Sequence, residues 1–143
     1  MNKLLFLDFD GVLHPNFSQG RDYFSRVDIL MEALGLHAAG VEVIISSSWR
    51  FHYTLGELFS FLPEELRRLV SGATPEVEPG PHQRHREILA FLIGRSGHPD
   101  WRALDDDLSG FPKDCPELIV CDGKIGIDND SAQGLRAWLR RAD

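Results

Sequence analysis

Short apolar runs alternate with helical stripes along this chain, and that rhythm constrains the fold more than any single residue. Lys3 to Leu7, Val41 to Ile45, Trp101 to Leu104 and Glu117 to Cys121 each read as a strand covered on both faces, because each is nearly continuously apolar. Between them, apolar residues recur at three- and four-residue steps. Val27, Leu30, Met31, Leu34 and Ala38 form one stripe, Ile88, Leu89, Phe91 and Leu92 a second, and Ala132, Leu135, Trp138 and Leu139 a third. Strand and helix in alternation imply right-handed crossovers and a parallel sheet, so the expected fold class is α/β, a three-layer α/β/α sandwich. "LGELFSFLPEELRRLV" reads as two short helices broken at Pro63 and "GATPEVEPGPHQ" as a loop, with room for one more short strand within Leu69 to Thr74.

A chain of 143 residues fits one domain, residues 1–143, with no repeat or low-complexity tract to divide it. Its net charge of -7 argues against a general nucleic-acid coat, which draws its affinity from lysine and arginine on phosphates. The two cysteines, Cys115 and Cys121, have no neighbouring histidine and read as small apolar fillers. Without a signal-like opening or a bilayer-length apolar stretch, the expectation is a cytoplasmic protein with no membrane partner. Nothing in the sequence sets an oligomeric state.

In an open parallel sheet, ligands bind beyond the carboxyl ends of the strands. The first run ends on Asp8, with Asp10 two residues on. The second ends on Ser46, Ser47 and Ser48 ahead of Trp49 and Arg50, and the third on Asp105, Asp106 and Asp107. Any one of these alone is an ordinary turn, since turns favour aspartate and serine. Together they bring carboxylates to one edge, where like charges repel unless a cation neutralises them. Oxygen ligands without histidine or thiolate favour a hard ion such as Mg²⁺. The six histidines show no ligand spacing, and a solvated or packing role is expected of each, His14, His82 and His85 included.

These residues carry a family resemblance. "LFLDFDGVL" resembles the first motif of the haloacid dehalogenase (HAD) superfamily, "IISSSWR" its second and "WRALDDD" its acidic fourth, in the same order. "SSSWR" and "GLRAWL" further resemble the small HAD domains associated with Swiss-army-knife RNA-repair proteins. The resemblance implies a Rossmann-like HAD sheet and a Mg²⁺-dependent phosphohydrolase that cleaves a phosphate monoester through an aspartyl-phosphate. It makes Asp8 the nucleophile and Asp10 the acid and base, with a main-chain carbonyl on the metal. Gly11 would let the chain turn sharply there. Ser47 is the favoured hydroxyl for the phosphoryl group, with Ser46 and Ser48 as alternatives. Trp49 is expected to pack, and Arg50 to cap a helix or touch substrate.

The family's third motif is a lysine or arginine, and no lysine lies between Lys3 and Lys113. Arg84, opening the helix "RHREILAFL", is the expected substitute, with Arg86 as competitor; a guanidinium fork suits phosphate oxygens. Asp105 should reach the metal and Asp106 hold it or its waters, while Asp107 starts the next loop. The implied metal set is therefore Asp8, Asp10, Asp105 and Asp106. "HPNFSQGRDYFS" leaves room for a flap and not a cap domain, so the expected site is open to a phosphorylated small molecule, a nucleotide, or RNA or DNA ends. Arg21 and Tyr23 on this flap are exposed-loop residues by default. The alternative reading is a receiver-like module that takes up phosphate without turnover.

Overall fold

A computed structural model describes residues 2–141. Five strands form one sheet: β1 (Lys3–Leu7), β2 (Val41–Ile45), β3 (Val70–Ala73), β4 (Trp101–Asp105) and β5 (Leu118–Val120). Their order is β3-β2-β1-β4-β5, and every neighbouring pair is parallel. Five α-helices connect them among the described residues: α1 (Val27–Leu34), α2 (Leu55–Phe61), α3 (Glu64–Arg67), α4 (Gln83–Ile93) and α5 (Asn129–Leu139). The α/β class expected from the rhythm of the sequence is what the chain adopts.

Successive side chains of a strand point to opposite faces, so β1, buried along its whole length, feeds two cores at once. Leu5 and Leu7 join Val43 and Ile45 under Leu30 and Leu34 of α1, Leu58 and Leu66 of the α2–α3 segment, and Leu135 and Trp138 of α5. Leu4 and Phe6 face the other way, with Ile44 and Ala103 against Ile88 of α4 and Phe111. The Lys3 amine, buried at the start of β1, donates to the carbonyls of Trp138 and Leu139 at the end of α5, where a cation complements the helix dipole.

Differences from the sequence reading are local. Helix α1 stops at Leu34 because Gly35 takes a positive φ of 50°, so Ala38 falls in the following 3-10 turn, Gly35–Gly40. Leu89 is 41% exposed, and the packed face of α4 is Ile88, Phe91 and Leu92. Strand β4 runs one residue past its apolar run, since the Asp105 carbonyl still accepts the Cys121 N–H at 2.9 Å. Asp105 therefore sits in the ladder itself.

β1 lies between β2 and β4. The chain reaches β2 through α1 on one face and β4 through α4 on the other. The carboxyl end of β1 is thus the topological switch point, where the connections diverge and leave a crevice. No helix among the described residues is long and apolar enough to cross a membrane. Cys121 is buried, which pushes its thiol up to about 12 and keeps it protonated.

Candidate active site

Three carboxylates meet at the switch point. Leu7 pairs with Leu104, so Asp8, one step beyond β1, comes beside Asp105 at the end of β4, with Asp106 following. One oxygen from each of Asp8, Asp105 and Asp106 lies within 4.8 Å of the other two. Asp8 is 6% exposed and Asp105 1%. Burial, and then the charge of Asp105, holds the Asp8 carboxyl well above its usual range, with Arg84 offsetting only part of this. Burial raises Asp105 as well, again against the pull of Arg84.

Neighbouring groups orient this cluster. The Phe9 N–H donates to Asp8 Oδ1 at 2.9 Å, the Asp107 N–H to Asp105 Oδ1 at 3.0 Å, and Asn16 Nδ2 to Asp106 Oδ2 at 2.8 Å. Gly11 has a φ of 79°, and a Cβ there would overlap the Asp106 carboxylate, so only glycine lets the backbone pass so close. Oxygen donors alone, held together against their own repulsion, fit a hard divalent cation.

Arg84, the second residue of α4, reaches the cluster from the side. Its Nη1 lies 2.8 Å from Asp105 Oδ2 and 3.4 Å from Asp8 Oδ1, and its Nε 3.8 Å from Glu87 Oε1. Burial works against the guanidinium charge, but Asp105, Asp8 and Glu87 outweigh it and raise the pKa. Its Nη2 has no hydrogen-bond partner among the described residues. Arg86 points elsewhere, donating to the carbonyls of Pro81 and Glu78 in the preceding loop.

Behind Arg84 sits an ion pair not singled out in the sequence. Arg50 Nη2 and Glu87 Oε2 are 2.5 Å apart, with side chains 5% and 2% exposed. The remaining Arg50 donors go to the carbonyls of Ser46, Ser47 and Thr74. Arg50 therefore ties the ends of β2 and β3 to α4 and does not cap a helix. Burial pulls its pKa below the ordinary arginine value, with Glu87 acting the other way.

Asp10 stands apart from the cluster. Its side chain is 46% exposed, and both oxygens are engaged, Oδ1 by His14 Nε2 at 2.8 Å and Oδ2 by Trp49 Nε1 at 3.0 Å. His14 is completely buried, and its Nδ1 accepts the Phe24 N–H at 3.2 Å, so Nε2 carries the proton it offers to Asp10. The only part of Asp10 left for the metal role is the main-chain carbonyl, which accepts no backbone hydrogen bond among the described residues.

Sequence reasoning missed these contacts: it gave His14 a solvated or packing role and Trp49 a packing one. The four-residue spacing of Asp10 and His14 was the available signal. Of the serines, Ser46 and Ser47 are buried and Ser48 is exposed. Ser47 Oγ accepts the Trp49 N–H at 3.2 Å and keeps its own proton to donate. Asp107 caps the next turn through the Ser109 N–H, as expected of a loop-starting residue.

Three clustered carboxylates, a further carboxylate held by two donors and a partly buried guanidinium at the switch point make a site able to take a cation and an anionic ligand together. No curated protein and no solved structure matches the chain. The family described as HAD domain in Swiss Army Knife RNA repair proteins matches residues 4–132. The chain belongs to that family, and with it to the HAD hydrolases.

Proposed function

We propose that this domain is a Mg²⁺-dependent phosphatase that hydrolyses a phosphate monoester through an aspartyl-phosphate on Asp8. The observation that carries this reading is the convergence of Asp8, Asp105 and Asp106 within 4.8 Å at the switch point of the sheet. Asp8, Asp105 and Asp106 would hold the ion, together with the Asp10 carbonyl. When bound, Mg²⁺ neutralises the carboxylates and the phosphoryl oxygens that meet there.

In the first half-reaction the Asp8 carboxylate attacks phosphorus and the bond from phosphorus to the leaving oxygen breaks. Asp10 delivers its carboxyl proton to that oxygen, and the His14 and Trp49 donors keep it aimed at the leaving group. In the second half-reaction Asp10, now a carboxylate, takes a proton from water. The resulting hydroxide attacks phosphorus, and Asp8 leaves as the free carboxylate. Arg84 offers its unpaired Nη2 and Ser47 its hydroxyl proton to the phosphoryl oxygens, which gain charge as each step proceeds.

The test is a multiple-turnover assay on a panel of phosphomonoesters, with and without EDTA. Asp8→Asn is expected to abolish turnover while keeping the wild-type circular dichroism spectrum. Normal activity in that variant, or full activity in EDTA, overturns the proposal.

A further inference from the structure

A cleft of about 550 Å³ opens beside Asp10 and Asn16, and its walls are mostly aromatic. Trp49, Tyr53 and Phe61 form one wall, with ring centroids 4.9 to 6.0 Å apart, and Tyr23 closes against Trp49 at 5.3 Å. Tyr53 and Phe61 are 40% and 37% exposed although both are large enough to bury, so their rings face open space. Phe17 on the flap borders the same space, almost wholly exposed and at a left-handed φ of 64°, a conformation that bulky residues rarely adopt. Two lining residues link the cleft to the carboxylate cluster. Asp10 lines it, and Asn16, which also lines it, holds Asp106.

From this arrangement we infer that the aromatic cleft is a stacking subsite for one planar base, and that the leaving group is a nucleoside. The inference rests on the phosphatase reading only for where the phosphate sits. Aromatic rings take up a base through its flat face, and the contact tolerates any base because each has a π surface. Lysine and arginine are absent from the lining, whose polar side chains besides the tyrosines and Trp49 are Asp10, Asn16, Ser18 and His52. A run of further phosphates finds no lysine or arginine there, so the cleft itself takes one base beside the scissile phosphate. A sugar phosphate without a base would leave these rings unpartnered. The shared chemistry is a nucleoside monophosphate, free or at the end of an oligonucleotide.

The experiment is calorimetric titration of full-length Asp8→Asn protein, unable to turn over, in Mg²⁺. The ligands are 3′-AMP, 5′-AMP, ribose 5-phosphate and a 3′-phosphorylated trinucleotide. At least one AMP isomer should bind about ten-fold or more tightly than ribose 5-phosphate, the scale of one stacked base. Adding Tyr53→Ala or Phe61→Ala should remove most of that difference, and Tyr53→Phe, which keeps the ring, should retain it. Melting temperatures taken alongside separate lost stacking from lost folding. Equal affinities for AMP and ribose 5-phosphate, or a preference untouched in both alanine variants, overturn the inference.

A trinucleotide that binds more tightly than 3′-AMP identifies the chain end as the source, and equal binding the free nucleotide; both support the subsite. Because the readout is binding, it stands apart from turnover. A wild-type protein that binds AMP through these rings but hydrolyses nothing contradicts the phosphatase proposal alone.

Discussion

At the scale of single residues, the pair of aspartates after β1 divides into two environments. Asp8 is buried among like charges, while Asp10 is half-exposed and held by His14 and Trp49. In the proposed mechanism His14 acts through Asp10, as a positioning residue. His14→Gln and His14→Ala should lower kcat by up to about a hundred-fold, the cost of misaligning a reacting group by about 1 Å. KM should change little, and steady-state kinetics would show the split. A fall in kcat/KM through KM alone would contradict the role. The aspartates were legible in the sequence because a carboxylate directly after a fully apolar strand must surface at the sheet edge. The His14 role was not, because it depends on burial and on the Phe24 N–H fixing the tautomer, and both arise only when the flap folds back.

Among the elements, the sheet was readable because its strands are covered on both faces and therefore nearly continuously apolar. The β3 strand, Val70–Ala73, was the faintest, since "VSGA" carries little apolar signal and is held by pairing with β2. What aligns the ends of β2, β3 and α4 is Arg50, and its charge depends on Glu87. That link joins residues far apart in sequence, with nothing in the local pattern to announce it. Glu87→Gln leaves a buried guanidinium without its counter-charge and should cost about 3 to 5 kcal/mol of stability. Chemical denaturation would measure this, and a loss below about 1 kcal/mol would show that the pair does not organise these ends.

Across the whole molecule, the site stores electrostatic opposition to folding that a bound cation would relieve. Asp8 and Asp105 have raised carboxyl pKa values in the fold, so the folded protein keeps protons that the unfolded chain has released. Their contribution is therefore most favourable below the ordinary aspartate value of about 3.9 and is lost as pH rises through their folded values. Without metal, wild type should lose stability relative to Asp8→Asn as pH rises above the ordinary aspartate value of about 3.9. Mg²⁺ at about a hundred times its Kd should restore about 2.7 kcal/mol. Thermal melts across pH would check both; a metal-free difference that does not depend on pH would refute the electrostatic account. The central claim is that Asp8 carries the phosphoryl group. It is tested most directly by acid-quenching Asp10→Asn after mixing with p-nitrophenyl phosphate and Mg²⁺, and mapping the phosphoryl group by mass spectrometry. This leaving group departs without an acid, while hydrolysis of the intermediate still needs the missing base, so phosphate should accumulate on Asp8 in a hydroxylamine-sensitive form. Release of p-nitrophenol beyond one equivalent with no phosphoryl group on Asp8, or with the group on another residue, would contradict the account.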